Sequence, residues 1–327
     1  MRIILFTFAL LIQSSILMAK IDRPLEVRLG YPKGTKLLII NADDFGMSHS
    51  ENIGTRNVLD NGIVTSATMM IPPSWSDEAM KHVIKMGMKN IGVHVTLTSE
   101  WSRYKWRPLT RDKDGKSSLV GKDGYFWETS TQVEQNAKIS DVIREVRAQL
   151  ETPMKRGIEL SHFDSHMGAL YGHFTGRVEL LAVALALSYE FGLPYRMPKH
   201  PLTNHFENEG FILLDNLIAS DKPSRPEERR EWFLNNLKNL KPGVTELFIH
   251  PSIESSEIKA ITSRWKTRKM EMDLFTDPAT EKLLKDMGVV LIDYQAIKRL
   301  QRKQMQWQPN FSFEQVYKKY LKMLGIN

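Results

Sequence analysis

The chain has 327 residues, 45 Lys and Arg against 38 Asp and Glu for a formal charge of +7, and no cysteine. That length can bury one large core or two modest ones, and the ordinary apolar and charged content excludes disordered and collagen-like classes. Without cysteine there is no disulfide, thiolate metal ligand or thiol nucleophile, so any metal chemistry must use His and carboxylates.

The N-terminus reads as a processing signal. Arg2 precedes an apolar run that is broken at its centre by Gln13, Ser14 and Ser15 and ends at the small residue Ala19. It is short for a membrane span and fits an export signal over residues 1–19, which implies a periplasmic or secreted protein with no stable membrane insertion after processing. Leu17 is not the small residue a good cleavage site would carry, so a retained anchor stays open.

A polar lead-in over 20–35 is followed by one α/β domain over about 36–300. Its apolar strand-like runs are "KLLIIN", "IVTSATMMI", "NIGVHVTL", "IELSHFDS", "LPYRMP", "FILLDN", "VTELFIHP" and "GVVLIDY". Helical patterns fall between them, among them Ser50 to Asn61, Ser76 to Met86 and Thr131 to Lys155. This alternation predicts a parallel sheet, open or closed into a barrel. The long segment Ser99 to Ser130 carries Trp101, Tyr104, Trp106, Tyr125, Phe126 and Trp127; it is either a wall for sugar rings or a satellite core. The tail over 301–327 carries the amphipathic "FEQVYKKYLKML", a closing helix packed on the barrel. The basic runs Arg264 to Lys269 and Lys298 to Lys303 read as solvated faces, not as the stripes of a nucleic-acid binder.

In α/β folds chemistry sits beyond the carboxyl ends of the strands. Asp43 and Asp44 close the first strand, His94 lies late in the third, His166 follows "SHFDS" and His250 closes "VTELFIH". Neighbours in an extended chain project to opposite sides, so Asp43 and Asp44 are unequal candidates, one for a metal and one for a proton. Two imidazoles and one carboxylate leave an ion with open positions, as a catalytic site needs. His162, Asp164 and His166 share a face if "SHFDSH" is extended, and one of the three suits a group that fixes a ligand's tautomer.

In this order and at these spacings, "NADDFG", "GIVTSATMM", "IGVHVTLT", "SHFDSH" and "ELFIHP" resemble the YdjC/ChbG-like carbohydrate deacetylases, from about Lys36 to about Leu300. The resemblance implies a distorted (β/α) barrel related to the polysaccharide deacetylases and metal-dependent removal of acetyl from N-acetylated sugars. It implies Asp44, His94 and His166 as metal ligands, Asp43 as the base that activates water and His250 as the acid for the leaving amine. Asp164 and Arg196 would orient catalytic groups or substrate. Many members place a further His two residues after "DSH", where this chain has Gly168; that removes a polar pocket group and weakens the case for a chitooligosaccharide substrate. The implied partner is a carbohydrate, and a homodimer is compatible with the sequence. The ion is Mg by family description, or Zn by its imidazole ligands. Two other readings compete: a carbohydrate-binding protein without turnover, and a two-His-one-carboxylate iron oxygenase, whose His-x-Asp spacing "HFD" imitates.

Overall fold

The first strand, β1 (Lys36–Phe45), is buried from its second residue onward, as a parallel strand covered on both faces requires. We describe it from a computed structural model covering residues 23–219, 223–309 and 312–326. The expected signal segment, 1–19, lies outside these residues. On one edge β1 pairs with β6 (Gly243–Ile249), from Lys36 opposite Gly243 to Ala42 opposite Ile249. Its other edge is shared: β7 (Val289–Leu291) lies along Lys36 to Leu38, and β2 (Ser66–Met69) takes over at Asn41. With β3 (Ile91–Val95), β4 (Phe163–Ser165) and β5 (Asn216–Ile218) the order is β4-β3-β2-β1-β6-β5, every pair parallel.

Among the described residues the sheet continues beyond β4 and β5 only as single bridges, Phe163 to Tyr195 and Pro198 to Leu214. Pro194 and Pro198 lack the N–H that a continuous ladder needs, so "LPYRMP" crosses the gap without forming a strand. The result is a curled parallel half-barrel, the distorted (β/α) barrel expected from the alternation. An antiparallel jelly roll, the usual frame of the iron oxygenases, is not what this chain forms.

Alternation along β1 decides what each face sees. Leu38, Ile40 and Ala42 enter the large core under the helices. Leu37 and Ile39 point the other way, into a smaller core with Val244, Ile292 and Ile297, which Leu25 of the short helix α1 (Leu25–Arg28) caps. Asn41 and Asp43 continue that inner face, and β6 matches it with Val244, Glu246 and Phe248. The interior is apolar at the strand starts and charged at their ends.

Helices cover the outside: α2 (His49–Asn61), α3 (Ser76–Met86), α4 (Ser130–Asn136), α5 (Ile139–Lys155), α6 (Glu179–Phe191), α7 (Pro226–Lys238), α8 (Ser256–Ile261), α9 (Trp265–Thr276), α10 (Pro278–Asp286), α11 (Tyr294–Met305) and α12 (Phe313–Met323). The nearly all-apolar α6 is buried from Leu180 to Ser188 because α5 and the amphipathic α12 both pack on it. The stretch expected as one helix over 131–155 breaks at Ala137 and Lys138. Both are extended there, and Lys138 N–H donates to Ser118 Oγ, which itself donates to Asp141. "FILLDN" is mostly buried irregular chain, with β5 beginning only at its last residue. Among the described residues no helix is long and apolar enough to cross a membrane.

Gly54 of α2 lies flush on the loop that follows β6. A Cβ there would sit 2.5 Å from Ser252 Cα and 2.6 Å from the Pro251 carbonyl oxygen. Gly54→Ala should therefore cost about 1–3 kcal/mol of stability by overpacking and lower the melting temperature by several degrees in a thermal scan. A melting point unchanged to within a degree would contradict this close approach.

Candidate metal centre and active site

Two breaks in regular backbone build the site. β1 changes register between Ala42 and Phe45, and Asp44 adopts φ +64°, a left-handed conformation uncommon outside glycine. The two carboxylates join His94 in different groups, Asp44 with His166 and Asp43 with Asp164, so the pair is unequal as expected. After β4 the chain turns at Met167 (φ +51°) and Gly168 (φ +68°), which sets His166 against the end of β3. Tyr171 and His173 fill the space beside Gly168, each 3.4 Å from where its Cβ would stand.

Asp44, His94 and His166 form a nearly equilateral triangle of donor atoms. His94 Nε2 is 3.2 Å from His166 Nδ1, and Asp44 Oδ1 lies 3.4 Å and 3.3 Å from those two nitrogens. Two donors bound tetrahedrally to one ion at 2.0–2.1 Å stand about 3.3 Å apart, so the spacing suits a first-row divalent metal. Asp44 Oδ1 is buried with no hydrogen-bond partner beyond the two imidazole nitrogens that face it, an oxygen that a cation would serve. Each ligand is fixed from behind. His94 Nδ1–H donates to Asp164 Oδ1 at 2.6 Å, which leaves Nε2 as the atom that could face an ion. His166 Nε2 reaches Glu100 at 3.1 Å, and Asp44 Oδ2 accepts from Arg268 Nη1 at 2.9 Å.

A second group, Asp43 with His94 and Asp164, also gathers ligand atoms within 4.8 Å of one another, but a cation already serves it. Arg196 donates from Nη1 and Nη2 to the two oxygens of Asp43 at 2.9 and 2.7 Å, and its Nη2 lies 2.8 Å from Asp164 Oδ2. Asn41 Nδ2 adds a bond of 2.7 Å to Asp43. Burial alone would raise the Asp43 carboxyl, yet Arg196, His94 and His250 outweigh it and hold the group well below the usual carboxylate range. His250 follows β6, its N–H fixed by Glu271 Oε2 at 2.6 Å. Burial is the main cause that lowers its imidazole pKa, with Asp44 pulling the other way.

All seven residues singled out from the sequence thus fall at one end of the half-barrel. Others were missed. Arg268 stands in a run read as a solvated face, yet its side chain is only 11% exposed and ion-paired with Asp44 and Glu51; Lys298, in the other such run, is buried with its Nζ on the Leu160 carbonyl. Glu246 carried a usable signal, a charge inside an apolar strand four residues before His250. Glu100 carried none. His162 shares no ligand role here: it is buried against Tyr294, ring centroids 3.6 Å apart. The aromatic loop divides between its two readings. Trp106 and Phe126 are core, and Trp106 packs 6.3 Å from the His166 ring, while half-exposed Trp101 lies under Arg268 at the rim.

The sequence pattern of the family described as YdjC-like protein matches residues 37–286, which include all seven of these positions. The chain belongs to the YdjC-like family. Its relatives include proteins named carbohydrate deacetylase from Thermoanaerobacter pseudethanolicus, 25% identical over 264 residues covering 80% of this chain and 100% of that one, and from Thermus thermophilus, 28% identical over 265 residues covering 77% and 90%. A crystal structure from Enterococcus faecalis V583, described as a candidate cellobiose-phosphate cleavage protein, superposes with a TM-score of 0.68 at 28% identity, covering 80% of this chain and 99% of its own.

Without a metal, Glu100 and Asp44 overcome the effect of burial and raise His166 to about 9. A raised imidazole stabilises the metal-free fold fully below its unfolded value of 6.5, and that contribution is lost as pH rises through about 9. His94 is raised as well, and an ion must displace the proton of each imidazole, so zinc affinity should rise with pH between about pH 6 and 8, by about tenfold per pH unit for each proton displaced. Calorimetry in buffers of different ionisation enthalpy should show the proton released; affinity independent of pH would contradict the site.

Proposed function

We propose that this YdjC-like protein is a metal-dependent carbohydrate deacetylase that hydrolyses the acetamide of N-acetylated sugars. The observation that carries this reading is the Asp44–His94–His166 triangle standing beside an aspartate that Arg196 keeps ionised. The names of the relatives support the same reaction class. Two imidazoles with one carboxylate favour Zn, Co or Ni over Mg.

A divalent ion held by the triangle would polarise the acetyl carbonyl and acidify a water. Asp43, ionised and aimed by the Arg196 fork, takes the proton of the attacking water. The water oxygen adds to the carbonyl carbon, and the C–N bond then breaks. His250, protonated from solvent before the attack, gives that proton to the leaving sugar nitrogen as the C–N bond breaks, and Asp43 returns its own to solvent; the lowered pKa of His250 makes its imidazolium a strong acid. Acetate and a free amino sugar result. Trp101 at the rim offers an aromatic face to a sugar ring. The apolar run within residues 3–19 supports export, which would place the enzyme among glycans outside the cytoplasm.

Acetate release from N-acetylated oligosaccharides should stop on chelation and return with a divalent metal. Asp43→Asn should lower kcat by about 10²–10⁴-fold while metal content, measured by mass spectrometry, stays at the wild-type level. Activity that persists in chelator and in Asp43→Asn would sink the mechanism. Sugar binding by calorimetry with no acetate formed under any metal would instead make the protein a carbohydrate binder. For export, a protein recovered from the cell envelope or medium should lack about the first 19 residues by intact mass; a full-length cytoplasmic product would contradict it.

A further inference from the structure

The inner face of β6 presents Glu246, Phe248 and His250 at every second position, so the strand that carries the proposed acid also carries a buried carboxylate. Glu246 Oε1 accepts from Arg196 Nε at 2.7 Å. Its Oε2 accepts from the Tyr294 hydroxyl. The Tyr294 ring is itself stacked on His162, planes 4° apart. Phe248 closes one face of the guanidinium, with the ring centroid 4.8 Å from Cζ. Arg196, Glu246, Asp43 and Asp164 are all buried.

We propose that Glu246 is a positioning residue for the hydrolysis: by holding Nε it fixes the plane of the Arg196 fork, and through that fork it fixes the carboxylate of Asp43. A guanidinium is planar and rigid, so the edge that faces Asp43 cannot turn while Nε is held. The effect reaches the base more than the metal. Asp164, also on the fork, keeps its bond to His94 at 2.6 Å and gains one from Thr68 at 3.0 Å, and β3 and β4 pair His94 directly with Asp164. The role rests on the deacetylase reading, since Asp43 is the base only in that reaction.

The test compares Glu246→Ala, Glu246→Gln and Tyr294→Phe with the wild type, measuring kcat and KM for acetate release, zinc affinity, melting temperature and a crystal structure of each. Glu246→Ala should lower kcat by about 10–100-fold, the scale of a misplaced catalytic group, with KM and zinc affinity within about twofold. Gln still offers an oxygen to Nε and should recover most of what Ala loses; Tyr294→Phe, which keeps the ring, should fall between. Wild-type kcat in Glu246→Ala overturns the role. So does a loss equal in Ala and Gln that follows melting temperature, or one explained by lost zinc. If Glu246→Ala does not fold, the Gln and Phe variants decide by the same criteria. If the wild type itself releases no acetate, the deacetylase reading fails, and the structures still judge the clamp: an Arg196 fork unmoved from Asp43 in Glu246→Ala or Tyr294→Phe refutes it.

Discussion

One guanidinium faces three buried carboxylates, and the site is arranged around that imbalance. Arg196 contacts Asp43, Asp164 and Glu246 within 2.7 to 2.9 Å. A single positive charge cannot balance three ionised acids away from water, so the shortfall appears as shifted proton affinities. Asp43, which takes both fork nitrogens, stays ionised. Glu246, which has only Nε and a tyrosine hydroxyl, is pushed up by burial to about 7. Because that value is raised, its contribution to stability is complete below the unfolded value near 4.5 and is lost as pH rises through about 7. His94 is held protonated well above its ordinary range against the effect of burial, chiefly by Asp164 and then Asp43, until an ion displaces its proton.

This division explains why two groups that each gather ligand atoms within 4.8 Å are not equal as metal sites. The set around Asp43 already has its cation. The set around Asp44 has a carboxylate oxygen with no partner beyond the two imidazole nitrogens that face it. Arg268 neutralises the outer oxygen of Asp44 while leaving the inner one exposed to the histidines. The left-handed backbone at Asp44 makes the arrangement possible at a cost of roughly 1–3 kcal/mol for a non-glycine residue in a sparsely populated region. Strain of this kind sits where the surrounding structure over-determines it, and here the β6 pairing on one side and the ligand contacts on the other do so.

Much of the architecture was legible in the sequence because it depends on periodicity. The buried run of β1, the helices over 49–61 and 76–86, and the placing of polar groups at strand ends all follow from apolar pattern and parallel-sheet geometry. What escaped was non-periodic. A bulge and one positive φ at Asp44 shape the end of β1, where Asp43 and Asp44 join separate groups around His94. Two prolines reduced "LPYRMP" to two isolated bridges, yet the segment between them delivers Arg196 to the interior. Arg268 and Lys298 lay in basic runs whose composition gives no hint of burial, because burial of a cation is decided by acids distant in sequence, Asp44 and Glu51 for the first. The partners that hold the ligands are likewise long-range: Glu100 to His166 spans 66 residues and Asp164 to His94 spans 70.

The central claim is that Arg196 reserves one acidic set for proton transfer and leaves the other to hold an ion. Anomalous diffraction from crystals grown with zinc tests it directly. The account predicts one strong peak inside the site, bounded by Asp44 Oδ1, His94 Nε2 and His166 Nδ1, with the Arg196 fork still on Asp43. A peak among Asp43, His94 and Asp164 with Arg196 displaced, or no peak in either place, would contradict it.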